Sequence, residues 1–164
     1  MRSAYSFHRV LVAFDGSPDA AAALRLAATI CDNGELVVLC VIARALPGSN
    51  GEGTDGAGLR AEAELLLSEL ARSAQPGGSA RAGIQVVSSG GDSPENVVTR
   101  YAAKHDFDLL VLGRRGAGGR RRNTLGRVAE RAVHACPVPL LLTSAPGRDA
   151  QAAMSRGTAC AGRY

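Results

Sequence analysis

Five short apolar runs recur along the chain, at residues 10–14, 36–42, 84–88, 109–112 and 138–143. They are continuous rather than alternating, as strands covered on both faces are. Between them, apolar side chains return at three- and four-residue spacing, the stripe of an amphipathic helix. That spacing predicts helices over 18–32 (Ala20, Leu24, Ala27, Ala28, Cys31), 59–73 (Leu59, Ala63, Leu66, Leu67, Leu70), 94–105 (Val97, Val98, Tyr101, Ala102, His105) and 125–136 (Leu125, Val128, Ala129, Ala132, Cys136). Ser17-Pro18 and Ser93-Pro94 each read as an N-cap followed by proline at the first helical position. Pro137 ends the last helix. Strand and helix alternate throughout, which predicts a single α/β domain: an open, five-stranded parallel sheet with helices on both faces and right-handed crossovers.

The expected layout is an N-terminal extension over 1–8, the domain over 9–143, and a tail over 144–164. The tail is small, polar and aperiodic, and reads as disordered. A Gly-, Ser- and acid-rich stretch at 48–58 reads as a mobile loop within the domain. Hydrophobic residues make up 46% of the 164 but aromatics only 4%, so the core must be built from Ala, Val, Leu and Ile. Cys31, Cys40, Cys136 and Cys160 show no C-x-x-C spacing, as expected of reduced thiols. The first apolar run is too short for a secretory leader, and none approaches the about 18 residues of a membrane span. A cytoplasmic protein with no membrane association is expected.

Charge changes the picture more than composition does. The net +4 conceals a segment, 113–131, that holds seven arginines against one acid. The rest of the chain is slightly acidic, so the positive charge is concentrated where an anionic partner or ample solvent must meet it. The segment reads GRRGAGGRRRNTLGRVAER. It leaves a buried strand, turns on Gly113, Gly116, Gly118 and Gly119, and enters a helix. Glycines bring backbone N–H groups close to an anion. The helix N-terminus adds roughly half a positive charge. Arginine forks match phosphate oxygens. All three devices suit phosphate, and a flexible, solvated basic loop is the plainer alternative.

In an open parallel sheet, ligands bind beyond the carboxyl ends of the strands, where the winding reverses. Asp15 closes the first strand at that edge, and Val41 closes the second. A carboxylate at Asp15 would accept hydrogen bonds from a ribose or a base; equally, it would cap the turn before Ser17. The residues leave both readings open.

Gly113-x-x-Gly116, nine residues, then Gly126 resembles the nucleotide-binding signature of the universal stress protein family, in which a Ser or Thr follows the last glycine. VAFDGSP at 12–18, Val41 at the end of the second strand and PVPLLLT at 137–143 extend the resemblance over about residues 8–143. It implies a Rossmann-like fold of the adenine nucleotide α-hydrolase type. It implies that Ala13, Asp15 and Val41 contact adenosine. It further implies that Gly113, Gly116, Gly119, Gly126 and residues Arg127 and Val128 wrap the ribose and phosphates, with Arg114 and Arg115 beside them. The ligand would be ATP, with or without Mg2+. One departure stands out, because Arg127 occupies the place of the family's hydroxyl. An arginine there must either swing out to meet the phosphates or fill their position itself.

Other motifs carry less. Gly51-Glu52-Gly53-Thr54-Asp55-Gly56 matches G-x-G-x-x-G but does not directly follow a strand and carries two acids that repel a pyrophosphate. No P-loop and no G-x-S-x-G is present, and Gly91-Asp92-Ser93 reads as a helix cap rather than a hydrolase block. His8, His105 and His134 lack metal-ligand spacing. The run RRGAGGRRR resembles RNA-binding RGG segments but lacks interleaved aromatics, so nucleic acid is not the expected partner.

The expected function is therefore that of an ATP-binding stress-response regulator, not a metabolic enzyme, with at most slow hydrolysis. The alternative is a nucleotide-free dimeric interaction protein with Arg127 in the phosphate site. In either case the apolar final strand, from Val138 to Thr143, lies where a sheet edge is expected. Such an edge is a template for pairing, and the resemblance points the same way, so a homodimer through that strand is expected.

Overall fold

The computed structural model describes residues 7–42, 56–73, 80–118 and 124–146. Strand and helix alternate through β1 (Phe7–Ala13), α1 (Pro18–Ile30), β2 (Cys31–Ile42), α2 (Gly56–Ser73), β3 (Arg81–Ser88), α3 (Pro94–Lys104), β4 (Leu109–Gly113), α4 (Arg127–Ala135) and β5 (Leu140–Thr143). The strands form one parallel sheet in the order β3-β2-β1-β4-β5. This is the α/β, Rossmann-like architecture the hydrophobic pattern and the family resemblance imply. The winding reverses between β1 and β4, so the switch point lies at their carboxyl ends.

Alternate residues of the central strands serve opposite layers. Val10, Val12, Leu36, Val38, Leu109 and Val111 pack with Ala20, Ala23, Leu24 and Ala27 of α1 and with Leu59 and Ala63 of α2. Leu11, Val37, Leu39, Leu110 and Leu112 pack with Val98 and Ala102 of α3 and Ala132 of α4. Small residues on α1 let it lie close to the sheet, which suits a core with almost no aromatics. The edges differ. β3 is exposed or half-buried along its length, and Leu140, Leu141 and Leu142 of β5 are half-buried.

Several boundaries fall elsewhere than the pattern suggests, each for a physical reason. β1 begins at Phe7, which pairs with Cys31, so residues 7 and 8 belong to the sheet. α1 stops at Ile30 because Cys31 is already extended and pairs in β2; its burial satisfies the helical period without helical backbone. β3 starts at Arg81 rather than at Ile84, its first residues being held by the ladder to Glu35, Leu36 and Val37. β5 starts at Leu140: Pro139 has no N–H to donate, and only its carbonyl joins the ladder, accepting from Leu110 N at 2.9 Å. α4 starts at Arg127 rather than Leu125, because the Gly126 N–H donates to the Arg114 carbonyl at 2.9 Å and holds the preceding chain out of the helix.

The stretch expected to be a mobile loop divides. Residues 56–58 form the first turn of α2, while 48–55 lie outside the described residues, as do 147–164 of the expected tail. Gly56 starts that helix against the sheet: a Cβ on it would come within 3.1 Å of Ile42 Cγ2 and Val86 Cγ1. Cys31, Cys40 and Cys136 are free thiols, and Cys160 lies outside the described residues. No described helix is long and apolar enough to cross a membrane.

Candidate functional site

The sheet brings β2, β1 and β4 side by side, so their carboxyl ends share one edge. Ala13 ends β1 there, half-buried, opposite Leu39 of β2 and Leu112 of β4. Val41 lies at the same end of β2, half-buried and opposite Val87. Gly113 ends β4, opposite Thr143. A Cβ on Gly113 would come within 2.8 Å of Ala20 N, so α1 can approach β4 this closely only over glycine.

Past β1 the chain turns sharply, with Gly16 at φ +77°, and enters α1 at Ser17 and Pro18. Ser17 is the N-cap, its hydroxyl accepting from Ala20 N at 3.1 Å. Asp15 is exposed at this turn. Its Oδ1 accepts from Ser17 N at 3.1 Å and its Oδ2 from Ala117 N at 2.9 Å. Asp15 therefore caps its own turn and also draws the loop after β4 across the switch point. Gly116 allows the approach: a Cβ there would lie 2.5 Å from Asp15 Oδ2. A carboxylate has about four acceptor positions, so Asp15 retains capacity for further donors.

Behind this front the loop is anchored to α1 and β5. Arg114 N donates to the Thr143 carbonyl at 2.6 Å. Arg115 N and Nε both donate to Asp19 Oδ2 at 3.2 Å, and the Arg115 carbonyl accepts from the Ser17 hydroxyl at 3.3 Å. Gly126 closes the far end of the loop, with Arg127 exposed at the first position of α4 and Val128 half-buried at the second. Gly119 lies outside the described residues. The amides of Arg114, Arg115, Ala117 and Gly126 are thus satisfied inside the protein and frame the loop. Sequence reasoning assigned Arg115 to the nucleotide, read Ser17 only as a helix cap and Thr143 only as part of the last strand, and passed over Asp19. An acid in the first turn of a helix is commonplace, and nothing local to Asp19 signals a partner 96 residues away.

Burial pushes the Cys40 thiol up to about 11, with Arg60 opposing, so it stays protonated and unreactive. Asp92 lies on the other side of the sheet, at the start of α3. Its carboxyl is held below the usual range by the Asn96 amide, the Ser93 N–H and the Arg100 guanidinium. It borders an open cavity of about 360 Å³ between α3 and α4. That cleft lacks the glycines and paired strand ends of the β1/β4 edge, so its size does not make it the better site. Among the described residues, no group of three His, Cys, Asp or Glu is placed to hold a metal ion.

Known proteins share this fold. The model of the universal stress protein family matches residues 6–144. A universal stress protein of Methanocaldococcus jannaschii is 36% identical over 56 residues, covering 34% of this chain and 33% of that one. The chain thus aligns with about a third of the length of that curated relative. Among solved structures, universal stress protein UspA from Lactobacillus plantarum superposes with a TM-score of 0.63 at 20% identity, covering 85% of this chain and 99% of the other. A universal stress protein in complex with cAMP gives 0.63 at 19%, covering 86% and 99%. A universal stress protein family member from Arabidopsis thaliana with AMP bound gives 0.54 at 17%, covering 87% and 94%. With a family match over most of its length and the fold of the family's solved members, this chain belongs to the universal stress protein family.

Proposed function

We propose that this protein binds an adenine nucleotide, ATP, at the β1/β4 switch point, and that it acts as a cytoplasmic stress-response regulator rather than a metabolic enzyme. The observation that carries the reading is the meeting of Asp15 and Gly116, where a Cβ would stand 2.5 Å from the carboxylate. This contact lays a glycine-rich loop across the point where α/β sheets take ligands. Adenosine would lie along Ala13, Asp15 and Val41, and Asp15 would accept from the ribose hydroxyls. Because four amides of the loop frame are used internally, phosphate binding falls to the glycines between them, the N-terminus of α4 and the arginines. Gly126 offers α4 no side-chain cap, and Arg127 places a cation at the positive end of its dipole. A phosphate there would relieve both, so Arg127 is assigned to phosphate contact. Mg2+ would enter with the phosphates, which commonly supply most of its ligands. Two structural neighbours are described with cAMP and AMP bound, which supports an adenine nucleotide as the class.

Any hydrolysis should be slow, since this reading gives Asp15 to the ribose and leaves the phosphates to glycines and arginines, none of which is a general base. β5 is the sheet edge next to the site, and a homodimer pairing the strand from Val138 to Thr143 belongs to the same reading. The second reading, a nucleotide-free dimer, rests on Arg127 standing where the family has a hydroxyl; there the guanidinium itself occupies the phosphate position. Mass spectrometry of small molecules released from purified, heat-denatured protein separates the two. Recovered ATP is expected. Protein that is empty, and that also takes up no added ATP, overturns the first reading in favour of the second.

A further inference from the structure

Asp19 is the one charged residue that is buried among the described residues, with its side chain 6% exposed. Its two oxygens serve different parts of the molecule. Oδ2 accepts from the Arg115 N–H and Nε, both at 3.2 Å, and so holds the loop after β4. Oδ1 accepts from the Ala145 N–H at 2.8 Å, and so holds the chain as it leaves β5. The neighbouring bonds close a ring. Arg114 N donates to the Thr143 carbonyl at 2.6 Å, and the Thr143 hydroxyl is shared between the carbonyls of Asp19 and Leu112, at 3.1 and 3.3 Å.

An acid in the first turn of α1 needs no distant partner if it is exposed, because the helix dipole alone favours it. Asp19 is buried instead, with partners 96 and 126 residues along the chain. A buried carboxylate that loses a donor becomes an undersolvated charge, which is costly, so it rotates or admits water to recover one. Either response disturbs the bonds on its other oxygen. The two arms are therefore not independent.

We propose that Asp19 is a positioning residue that couples the nucleotide loop to the segment following β5. Loading of the loop and docking of residues 144–146 on α1 reinforce one another, so the chain beyond β5 carries the ligand state of the site outward. The coupling between the two arms stands on the hydrogen bonds alone; only its link to ligand rests on the nucleotide reading. Reciprocity then requires that whatever docks residues 144–146 also tightens the site by the same factor.

Amide hydrogen exchange, followed by NMR on the full chain with and without ATP, tests the coupling. Ala145→Pro removes the donor to Oδ1 and touches no residue of the loop. It should speed exchange at the Arg115 amide by about tenfold, the scale of one charge-assisted hydrogen bond, while Val97 and Val98 of α3 stay unchanged. Arg115→Lys keeps the backbone N–H and the charge but removes Nε; it should speed exchange at the Ala145 amide in the same selective way. ATP should slow exchange at Ala145 in the wild type and not in Asp19→Asn. A merely structural Asp19 would give uniform acceleration across the domain in all three variants. Unchanged exchange at Arg115 in Ala145→Pro, or at Ala145 in Arg115→Lys, overturns the proposal, and the lysine variant decides it if the proline variant does not fold. A wild type that binds no ATP defeats the nucleotide reading instead, while the exchange of residues 115 and 145 still settles whether Asp19 couples them.

Discussion

Helices α1 and α4 both begin at the carboxyl edge of the sheet, following the neighbouring strands β1 and β4, yet their first turns are built differently. α1 is self-sufficient. Ser17 caps it through Ala20 N, Pro18 fills the first position where no N–H is needed, and Asp19 sets a buried negative charge at the positive end of the dipole. α4 has neither a side-chain cap nor a proline at its first position, and the acid of its first turn, Glu130, is exposed. Gly126 gives no side-chain cap, and Arg127 adds positive charge to a positive terminus. Local stability favours the first arrangement. A helix end left without its own cap, beside a glycine loop that the fold has already braced, is suited to an anion from outside. One helix start holds the loop in shape, and in the proposed function the other receives the ligand.

Changes at the two helix starts should therefore differ in kind. Asp19→Ala should have the largest effect, because it leaves the Arg115 and Ala145 amides without their acceptor. A loss of about 3 kcal/mol in urea-unfolding stability is expected, and a loss under about 1 kcal/mol would show that water replaces the carboxylate. Asp15→Ala should act chiefly on ligand, weakening ATP binding by about 2 kcal/mol in calorimetric titration; affinity equal to wild type would remove Asp15 from the site. Ser17→Ala removes a cap whose hydroxyl also reaches Arg115, and should lower stability by about 1 kcal/mol.

At the other helix start the sign should invert. Arg127→Glu should stabilise the ligand-free protein by about 0.5 kcal/mol through the dipole while weakening ATP binding. A destabilised ligand-free variant would break the comparison. The smallest effect belongs to α3, which is capped like α1. The folded-state pKa of Asp92 is lowered, so its contribution is present above the unfolded value of 3.8 and lost as pH falls through the folded one. Asp92→Asn should thus be slightly less stable than wild type near pH 7, the two curves converging in acid.

The same contrast explains what the sequence discloses. Continuous Val and Leu runs at β1 and β4 are legible because both faces of those strands are buried, as Val10, Leu11, Val12, Leu110 and Val111 are. Ser17-Pro18 and Ser93-Pro94 mark helix starts because capping is local chemistry between neighbours. Gly113, Gly116 and Asp15 are legible as candidates by their place after strands, and the fold brings them to one edge. What depends on distant partners is not legible. Asp19 looks like any first-turn acid, and the sequence gives no sign that the Nε of Arg115 is held by Asp19 rather than offered to a phosphate. Gly56 looks like loop because glycine is a poor helix former, yet it starts α2 where a Cβ would crowd Ile42 and Val86 at 3.1 Å. The first residues of β3 are strand only because β2 pairs with them, and no hydrophobic period at Arg81 or Gly83 announces it.

The central claim is that the β1/β4 edge takes an adenine nucleotide whose phosphates complete the start of α4. Calorimetric titration of ATP into nucleotide-stripped, full-length protein tests it most directly. The account predicts saturable binding of one ATP per chain. The absence of any binding heat, in protein shown to be folded and stripped of nucleotide, would contradict it.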